Sequence, residues 1–435
     1  MTFAEVRLWG RSIGAVSMAD ARAHASFQYD PLFAQSGIEV APLTMPLDRR
    51  VYTFPALAVG TFHGLPGLLA DSLPDRFGQA LIDAWLATQG RTPESFDAVE
   101  RLCYVGTRGM GALEFAPSTG PRSRRAGAIH VDALVQLASE VLSRRRDLQT
   151  TFAESHRAQA MKDILRVGTS AGGARAKAVI AWNPATNEVR SGQMPAGPGF
   201  EYWLLKLDGV TGNKDKELDD PAGYGAIEFA YSLMARASGI TMTECRLMAE
   251  SGRRHFMTRR FDRLPGGGKL HMQSLGALAH FDYNVPGAHS YEQALLTIRR
   301  LGLPAGAVEE LFRRMAFNIV ARNQDDHVKN IAFLMDRDGR WALAPAFDVI
   351  YSYNPVGAWT ATHQMTMNGK RDGFTMADFR ACGRTALLTR GRAEAIVDQV
   401  IGAATRWSEF ADEAEVPADR RNEIARHLRL SFARA

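Results

Sequence analysis

The sequence predicts an α+β fold in two lobes, a mixed lobe of strands and helices followed by a mainly helical one. Three observations predict it. Strand-like runs at 6–9, 52–54, 177–182 and 202–207 all lie in the first half of the chain. After Pro286, apolar residues instead recur at spacings of three and four, as amphipathic helices require. The 435 residues also exceed what one core usually organises.

Residues 1–118 read as a small α+β unit: the first two strands, then an amphipathic helix at 78–88 after the turn Ser72-Leu73-Pro74-Asp75. The glycine-rich segment 104–115 ends in a strand-like run. No Gly-Lys-Ser/Thr follows it, so it reads as a structural turn rather than a phosphate loop. The stretch 117–127 is polar, basic and rich in Pro and Gly, which marks a linker. A mixed lobe over 128–280 follows, with helices at 131–143 and 157–165 and the strands 177–182 and 202–207 separated by the turn at 183–187. The helical lobe, 281–435, carries helices at 292–301, 308–322, 376–382, 392–405 and 420–430.

Composition excludes several classes. With 46% apolar and 23% charged residues, the chain is an ordinary globular sequence, and no apolar run is long enough to span a bilayer. The first ten residues lack a signal-peptide layout, so a cytoplasmic protein without a membrane partner is expected. Cys103, Cys245 and Cys382 are too few and too far apart for a disulfide framework or a structural zinc site. A net charge of +5 permits a polyanionic partner without requiring one; the arginine clusters at 122–125, 144–146, 253–260 and 420–429 read as solvated faces.

The densest chemistry lies at Asn323-Gln-Asp-Asp-His-Val-Lys-Asn330, which directly follows a helix and precedes a strand at 331–335. Asp336-Arg-Asp-Gly339 supplies a hairpin turn, and a second strand at 341–343 leads to Ala344-Pro-Ala-Phe-Asp348. Phosphoryl transfer needs an acceptor for the attacking hydroxyl's proton and oxygen ligands for Mg²⁺. In a kinase catalytic loop an Asp is followed five residues later by a metal-binding Asn, and a metal-binding Asp comes after the next strand pair. Asp325, Asn330 and Asp348 have that order and spacing, and His327 stands two residues beyond Asp325, within reach of a phosphate. The same residues also suit a polar turn with Asn330 capping a strand. A metal hydrolase built on Asp-x-His would need further ligands that do not stand out.

Upstream, the run 167–177, with Gly172 and Gly173, joins a helix to a strand and suits close approach to phosphate oxygens, or a plain structural loop. Lys206 lies inside an otherwise apolar strand, which points to an anionic partner or to a snorkelling strand-end lysine. Glu228, early in a helix, could orient it. Glycine loop, strand lysine, helix glutamate, Asp-x₄-Asn and later Asp follow one another in kinase order.

These residues, with Leu8-Trp-Gly10, Met45-Pro-Leu47, the run 64–78, Phe261-Asp-Arg263, Asp325–Asn330 and Ala344–Asp348, resemble the HipA family of toxin kinases over nearly the whole chain. The resemblance implies a two-lobed, protein-kinase-like fold with an extra N-terminal subdomain, and serine/threonine kinase activity using ATP and Mg²⁺. It implies that Asp325 accepts the proton and that Asn330 and Asp348 hold the metal. ATP would be met by Gly172, Gly173, Ala174, Arg175, Ala176 and Lys177 of the loop, by Lys206, by the hinge Arg259, Arg260 and Phe261, and by His327, Val328, Lys329, Asn330, Phe347 and Asp348. Arg259 replaces an acidic hinge residue of a relative, which leaves backbone contacts to adenine there. Ser170 matches the family's autophosphorylated serine, whose phosphate would compete with those of ATP for the pocket. Family members phosphorylate aminoacyl-tRNA synthetases and pair with a HipB-like helix-turn-helix antitoxin that binds DNA. Two other readings share the ATP site: a nucleotide-binding pseudokinase acting as a corepressor with its antitoxin, and a small-molecule kinase.

Overall fold

The computed structural model describes residues 1–20, 23–120, 129–143, 175–210, 214–215, 218–219 and 223–433. The chain divides into two compact units, one of residues 1–222, 248–273 and 334–340, the other of 223–247, 274–333 and 341–435.

In the first unit, β1 (Thr2–Leu8), β2 (Arg11–Met18), β3 (Ser26–Tyr29), β4 (Val51–Tyr52) and β5 (Leu113–Ala116) form an antiparallel sheet of order β4-β3-β2-β1-β5. Alternation builds it: Ala4, Val6 and Leu8 face the core, while Glu5 and Arg7 face outward and pair at 2.6 Å. The first strand stops at Leu8, one residue earlier than expected, because Trp9 (φ 50) and Gly10 (φ 80) make a two-residue hairpin turn. The strand expected at 52–54 spans Val51–Tyr52 and ends ahead of Pro55, which has no N–H for a ladder.

A second sheet has the order β11-β12-β8-β6-β7, from β6 (Lys177–Trp182), β7 (Val189–Ser191), β8 (Glu201–Lys206), β11 (Cys245–Glu250) and β12 (Arg253–Arg259); β9 (Lys214–Asp215) and β10 (Leu218–Asp219) form a separate two-residue ladder. Helices Arg76–Thr88 and Val131–Ser143 contribute Phe77, Leu81, Leu134 and Val135 to one core with Ile180, Trp203, Leu205 and Met257 of the sheet. Asp75 caps the first of these helices by accepting from the Gly78 N–H at 2.6 Å. The short helix Ala98–Val105, closed by a capping box of Asp97 and Glu100, was not anticipated. The helix expected at 157–165 and most of the linker expected at 117–127 lie outside the described residues.

The second unit is mainly helical: Tyr224–Ala237, Tyr291–Arg300, Ala305–Val320, Met376–Thr385, Arg392–Ala404, Trp407–Glu413 and Ala418–His427. The helix Ala305–Val320 starts after Pro304 and buries Phe312, Met315, Phe317 and Ile319. It ends two residues before the expected position because Arg322 takes a left-handed conformation, φ 57. Helix Trp407–Glu413 escaped the periodicity argument because it is barely two turns long. β13 (His271–Ser274), β14 (Ala332–Met335) and β15 (Trp341–Leu343) follow one another in a three-stranded sheet. The turn expected at 336–339 is present: the Asp336 carboxylate accepts from the N–H groups of Asp338 and Arg340, and Gly339 has φ 80.

All three cysteines are buried free thiols. Among the described residues, no helix is long and apolar enough to cross a membrane.

Candidate active site

The segment 323–330 owes its course to how the helix before it ends. Arg322 turns the chain left-handed, and Asn323 is tied back to the helix by N–H to Asn318 C=O at 3.0 Å and by side-chain amide to Asn318 Oδ1 at 2.9 Å. The Asn323 side-chain oxygen accepts from the Ser352 hydroxyl at 3.0 Å. The segment then closes in a single 3₁₀ turn, Val328–Asn330.

Its two adjacent carboxylates have opposite surroundings. Asp326 is buried, and one of its oxygens accepts from the Tyr291 hydroxyl at 2.6 Å and lies 2.8 Å from His363 Nδ1, while the other accepts from the Gln364 N–H at 2.7 Å. Burial alone would raise its pKa; His363, Tyr291 and the Gln364 N–H outweigh that and hold it below the usual carboxylate range. Asp325 keeps part of its carboxylate open to solvent. Its Oδ1 accepts from the Trp359 indole N–H at 2.7 Å, and its Oδ2 lies 3.9 Å from His327 Nε2. The side-chain amide of Asn330 donates to the Asp325 carbonyl at 2.9 Å, locking the two ends of the Asp-x₄-Asn motif together.

Behind the segment lies a cavity of about 30 Å³ whose polar lining includes Asn323, Asp326, His327, Asn330 and Asp348, with Phe347 beside them. His327 Nδ1 is buried there without a hydrogen-bond partner. Asp348 has φ 56, a conformation rare outside glycine and concentrated at functional positions. The Ala346 N–H to Thr241 C=O bond, 2.8 Å, holds the approach to it. Asn330 and Asp348 thus line one cavity, and an amide and a carboxylate side chain form a hard-oxygen donor set that suits Mg²⁺ with phosphate and water completing its shell. Among the described residues, no group of three or more His, Cys, Asp or Glu is placed to hold a metal ion.

The first unit carries the other expected positions. Lys206 is half-buried, directly across from Lys177 on β6 and Phe256 on β12, with its ammonium 5.9 Å from the Phe256 ring centre. Like charges placed opposite one another repel. Lys177 is separately neutralised by a buried ion pair with Asp75 at 3.0 Å, so its ammonium serves the core, and only its backbone is left for a phosphate. Arg175 and Ala176 are buried just before β6. Arg259 is exposed and pairs with Glu201 at 3.3 Å. Arg260 is buried and grips Asp262 through two bonds of 2.9 and 2.7 Å, and its N–H donates to the Tyr202 C=O at 2.9 Å, which leaves its carbonyl for an adenine contact; Phe261 follows it in sequence. Asp262 also accepts from Arg263 at 2.7 Å and from the Gly111 N–H at 2.7 Å. Its burial would raise its pKa, but the two guanidiniums depress it far below the usual carboxylate range. Val328 is a core residue, Lys329 lies 5.0 Å from the Tyr283 ring centre, and Glu228 is buried on helix Tyr224–Ala237. Ser170, Gly172, Gly173 and Ala174 lie outside the described residues.

Three participants had no signal in the motif. Trp359, Tyr291 and His363 lie 34 to 37 positions from the aspartates they touch, and nothing in the motif points to them.

A model of the HipA-like C-terminal domain matches residues 169–408, and one of the HipA N-terminal domain matches residues 4–116. The protein Y4mE of Sinorhizobium fredii, which carries a kinase name, is 26% identical over 211 residues, 44% of this chain and 49% of that protein. The match thus spans about half the length of that relative. Among solved structures, HipA of Shewanella oneidensis MR-1, determined with HipB and its operator DNA, superposes with a TM-score of 0.66 at 17% identity, covering 98% of this chain and 94% of that one. The chain belongs to the HipA family, and its fold is a two-lobed, kinase-like α+β fold.

Proposed function

We propose that this member of the HipA family is an ATP- and Mg²⁺-dependent serine/threonine protein kinase, the toxin of a toxin–antitoxin pair. The observation that carries the reading is the split between neighbouring carboxylates. Asp325 is open enough to meet a substrate hydroxyl and has one oxygen already occupied by Trp359, whereas Asp326 is buried in the fold.

In this reading Asp325 Oδ2 accepts the proton of the attacking hydroxyl. The indole bond keeps Oδ1 occupied and the carboxylate oriented, and the Asn330 amide on the Asp325 carbonyl holds the loop while its amide oxygen stays available for metal. Asn330 and Asp348 would hold Mg²⁺, which when bound neutralises charge on the transferred phosphoryl group. His327 and Lys329 line the phosphate side, with Phe347 beside the metal ligands. Lys206 meets the nucleotide phosphates, the backbone of 172–177 covers them, and the backbone of Arg259, Arg260 and Phe261 meets adenine. Ser170 is the autophosphorylation site.

The acceptor is a translation protein such as an aminoacyl-tRNA synthetase, by the family resemblance. A HipB-like antitoxin, and DNA through it, are the partners, in line with the Shewanella oneidensis HipA structure determined with HipB and operator DNA.

The test is the intact mass of the purified, initially unmodified chain after incubation with ATP and Mg²⁺, beside Asp325→Asn. One added phosphate, mapped to Ser170 in the wild type alone, is expected. A wild type that binds ATP but gains no phosphate would turn the assignment toward a nucleotide-binding corepressor.

A further inference from the structure

The segment after the last helix, residues 428–433, runs back over the end of helix Ala305–Val320. The Arg429 N–H donates to Val320 C=O at 2.9 Å, its guanidinium donates to Ile319 C=O at 3.1 Å, and further along the Met376 N–H donates to Ala433 C=O at 3.1 Å. Arg429 therefore sits where the helix hands over to the segment that carries Asp325.

The same guanidinium reaches inward. Arg429 Nη1 lies 2.9 Å from His363 Nε2, and His363 Nδ1 lies 2.8 Å from Asp326. A guanidinium can only donate, so Nε2 must accept, and the imidazole proton sits on Nδ1 and points at Asp326. His363 is thereby fixed as the neutral Nδ1–H tautomer. On its outer side Arg429 is held by Asp372. Two further cations stand near this group: Arg322, which donates to the His427 C=O at 2.8 Å, and Arg371, which anchors the His363 backbone by donating to its C=O at 2.6 Å and accepting from its N–H at 3.1 Å. The chain of contacts is Asp372, Arg429, His363, Asp326, with Tyr291 and Asn318 continuing it to Asn323. Every link is a directed hydrogen bond, and the chain passes through Asp326, the sequence neighbour of Asp325, to end on Asn323, two residues before it.

We propose that Arg429 is a positioning residue for Asp325: by setting the tautomer of His363 it fixes Asp326, and so the place of its neighbour's carboxylate. The proposal rests on the kinase reading for its catalytic consequence and on geometry alone for its structural one. An experiment can separate the two. The Trp359 indole N–H, bonded to Asp325 Oδ1, reports where that carboxylate is. Its cross-peak in a ¹H–¹⁵N spectrum of the full chain is identified among the seven tryptophans by its absence in Trp359→Phe.

In Arg429→Ala the indole peak is expected to move and phosphate incorporation from ATP to fall about tenfold to a hundredfold, as misplacement of a catalytic group by about 1 Å does. The KM for ATP should stay within about twofold, because only interactions made in the transition state are lost. Arg429→Lys, which keeps a donor for Nε2, should recover most of both signals. If Arg429→Ala loses its cooperative melt, Asp372→Asn, which loosens Arg429 from the outside, replaces it with the same expectations. An unmoved indole peak overturns the proposal, whether or not the rate falls. If the wild type transfers no phosphate, the kinase reading fails, and movement of the indole peak still decides the positioning role.

Discussion

Asp262 in the first unit and Asp326 in the second are both closed to solvent, at 0% and 4% exposure, yet they are satisfied in different ways. Asp262 sits between two guanidiniums and one backbone N–H. Asp326 takes a phenol, an imidazole and a backbone N–H. The first arrangement is a charge cluster that ties the end of β12 to the glycine-rich turn near Gly111. The second is a web of directed hydrogen bonds that leaves its sequence neighbour, Asp325, available. Two guanidiniums secure a junction strongly but tolerate no loss of charge. A set of directed donors fixes orientation, which is what the proposed role of Asp325 as a general base would need.

The sharpest way to break this comparison is Asp262→Ala. It leaves Arg260 and Arg263 buried without their counter-charge, and a loss of about 3–5 kcal/mol in urea unfolding is expected. Asp326→Asn keeps one acceptor oxygen and leaves the donors on the other side without theirs, so about 1–3 kcal/mol is expected by the same measurement. Equal losses in the two variants would mean that the contrast between charge cluster and donor web is unimportant.

Acid unfolding sharpens it further. His271 is buried, and its pKa is pushed down to about 4 by burial. Its folded value lies below the unfolded one, near 6.5, so the unfolded chain takes up the proton first. Its contribution is therefore complete above about pH 6.5 and is lost as pH falls toward about 4. Asp262 and Asp326, both depressed, contribute fully above about pH 4 and lose that contribution only as pH falls further. A melting temperature that declines in two stages is expected, and His271→Phe should shrink the upper one, to which the half-buried His280, also pushed down to about 4, contributes as well.

The smallest effect belongs to Asp325→Asn. Stability should change by no more than about 0.5 kcal/mol, since the group is partly exposed and the amide oxygen can still accept from Trp359. Phosphoryl transfer should nevertheless fall by about 10²–10⁴. A large stability loss here would show that the two aspartates have had their roles exchanged.

Much of this was legible. The Asp325, Asn330 and Asp348 spacing, the hairpin at 336–339 and five helices of the second unit follow from patterns within a few residues of one another. Element ends were less so: Arg322 cuts a helix short through one left-handed residue that periodicity cannot register. Lys177 reads as part of the phosphate loop from its local strand and glycines, whereas its ion-pair partner Asp75, about a hundred positions away, leaves no local signal. Asp262 looked like a site motif beside the hinge, and its partner Gly111 comes from the N-terminal turn.

By itself the sequence determined the class of fold, the order of its elements and the stretch proposed to carry the chemistry, because apolar period and short-range spacing act within a turn or a strand. Only the tertiary structure decided which of two adjacent aspartates is buried and which stays partly open to solvent. The donors that make that choice, from Tyr291, Trp359, His363 and Gln364, are brought to the segment by packing, and no pattern within the motif encodes their arrival.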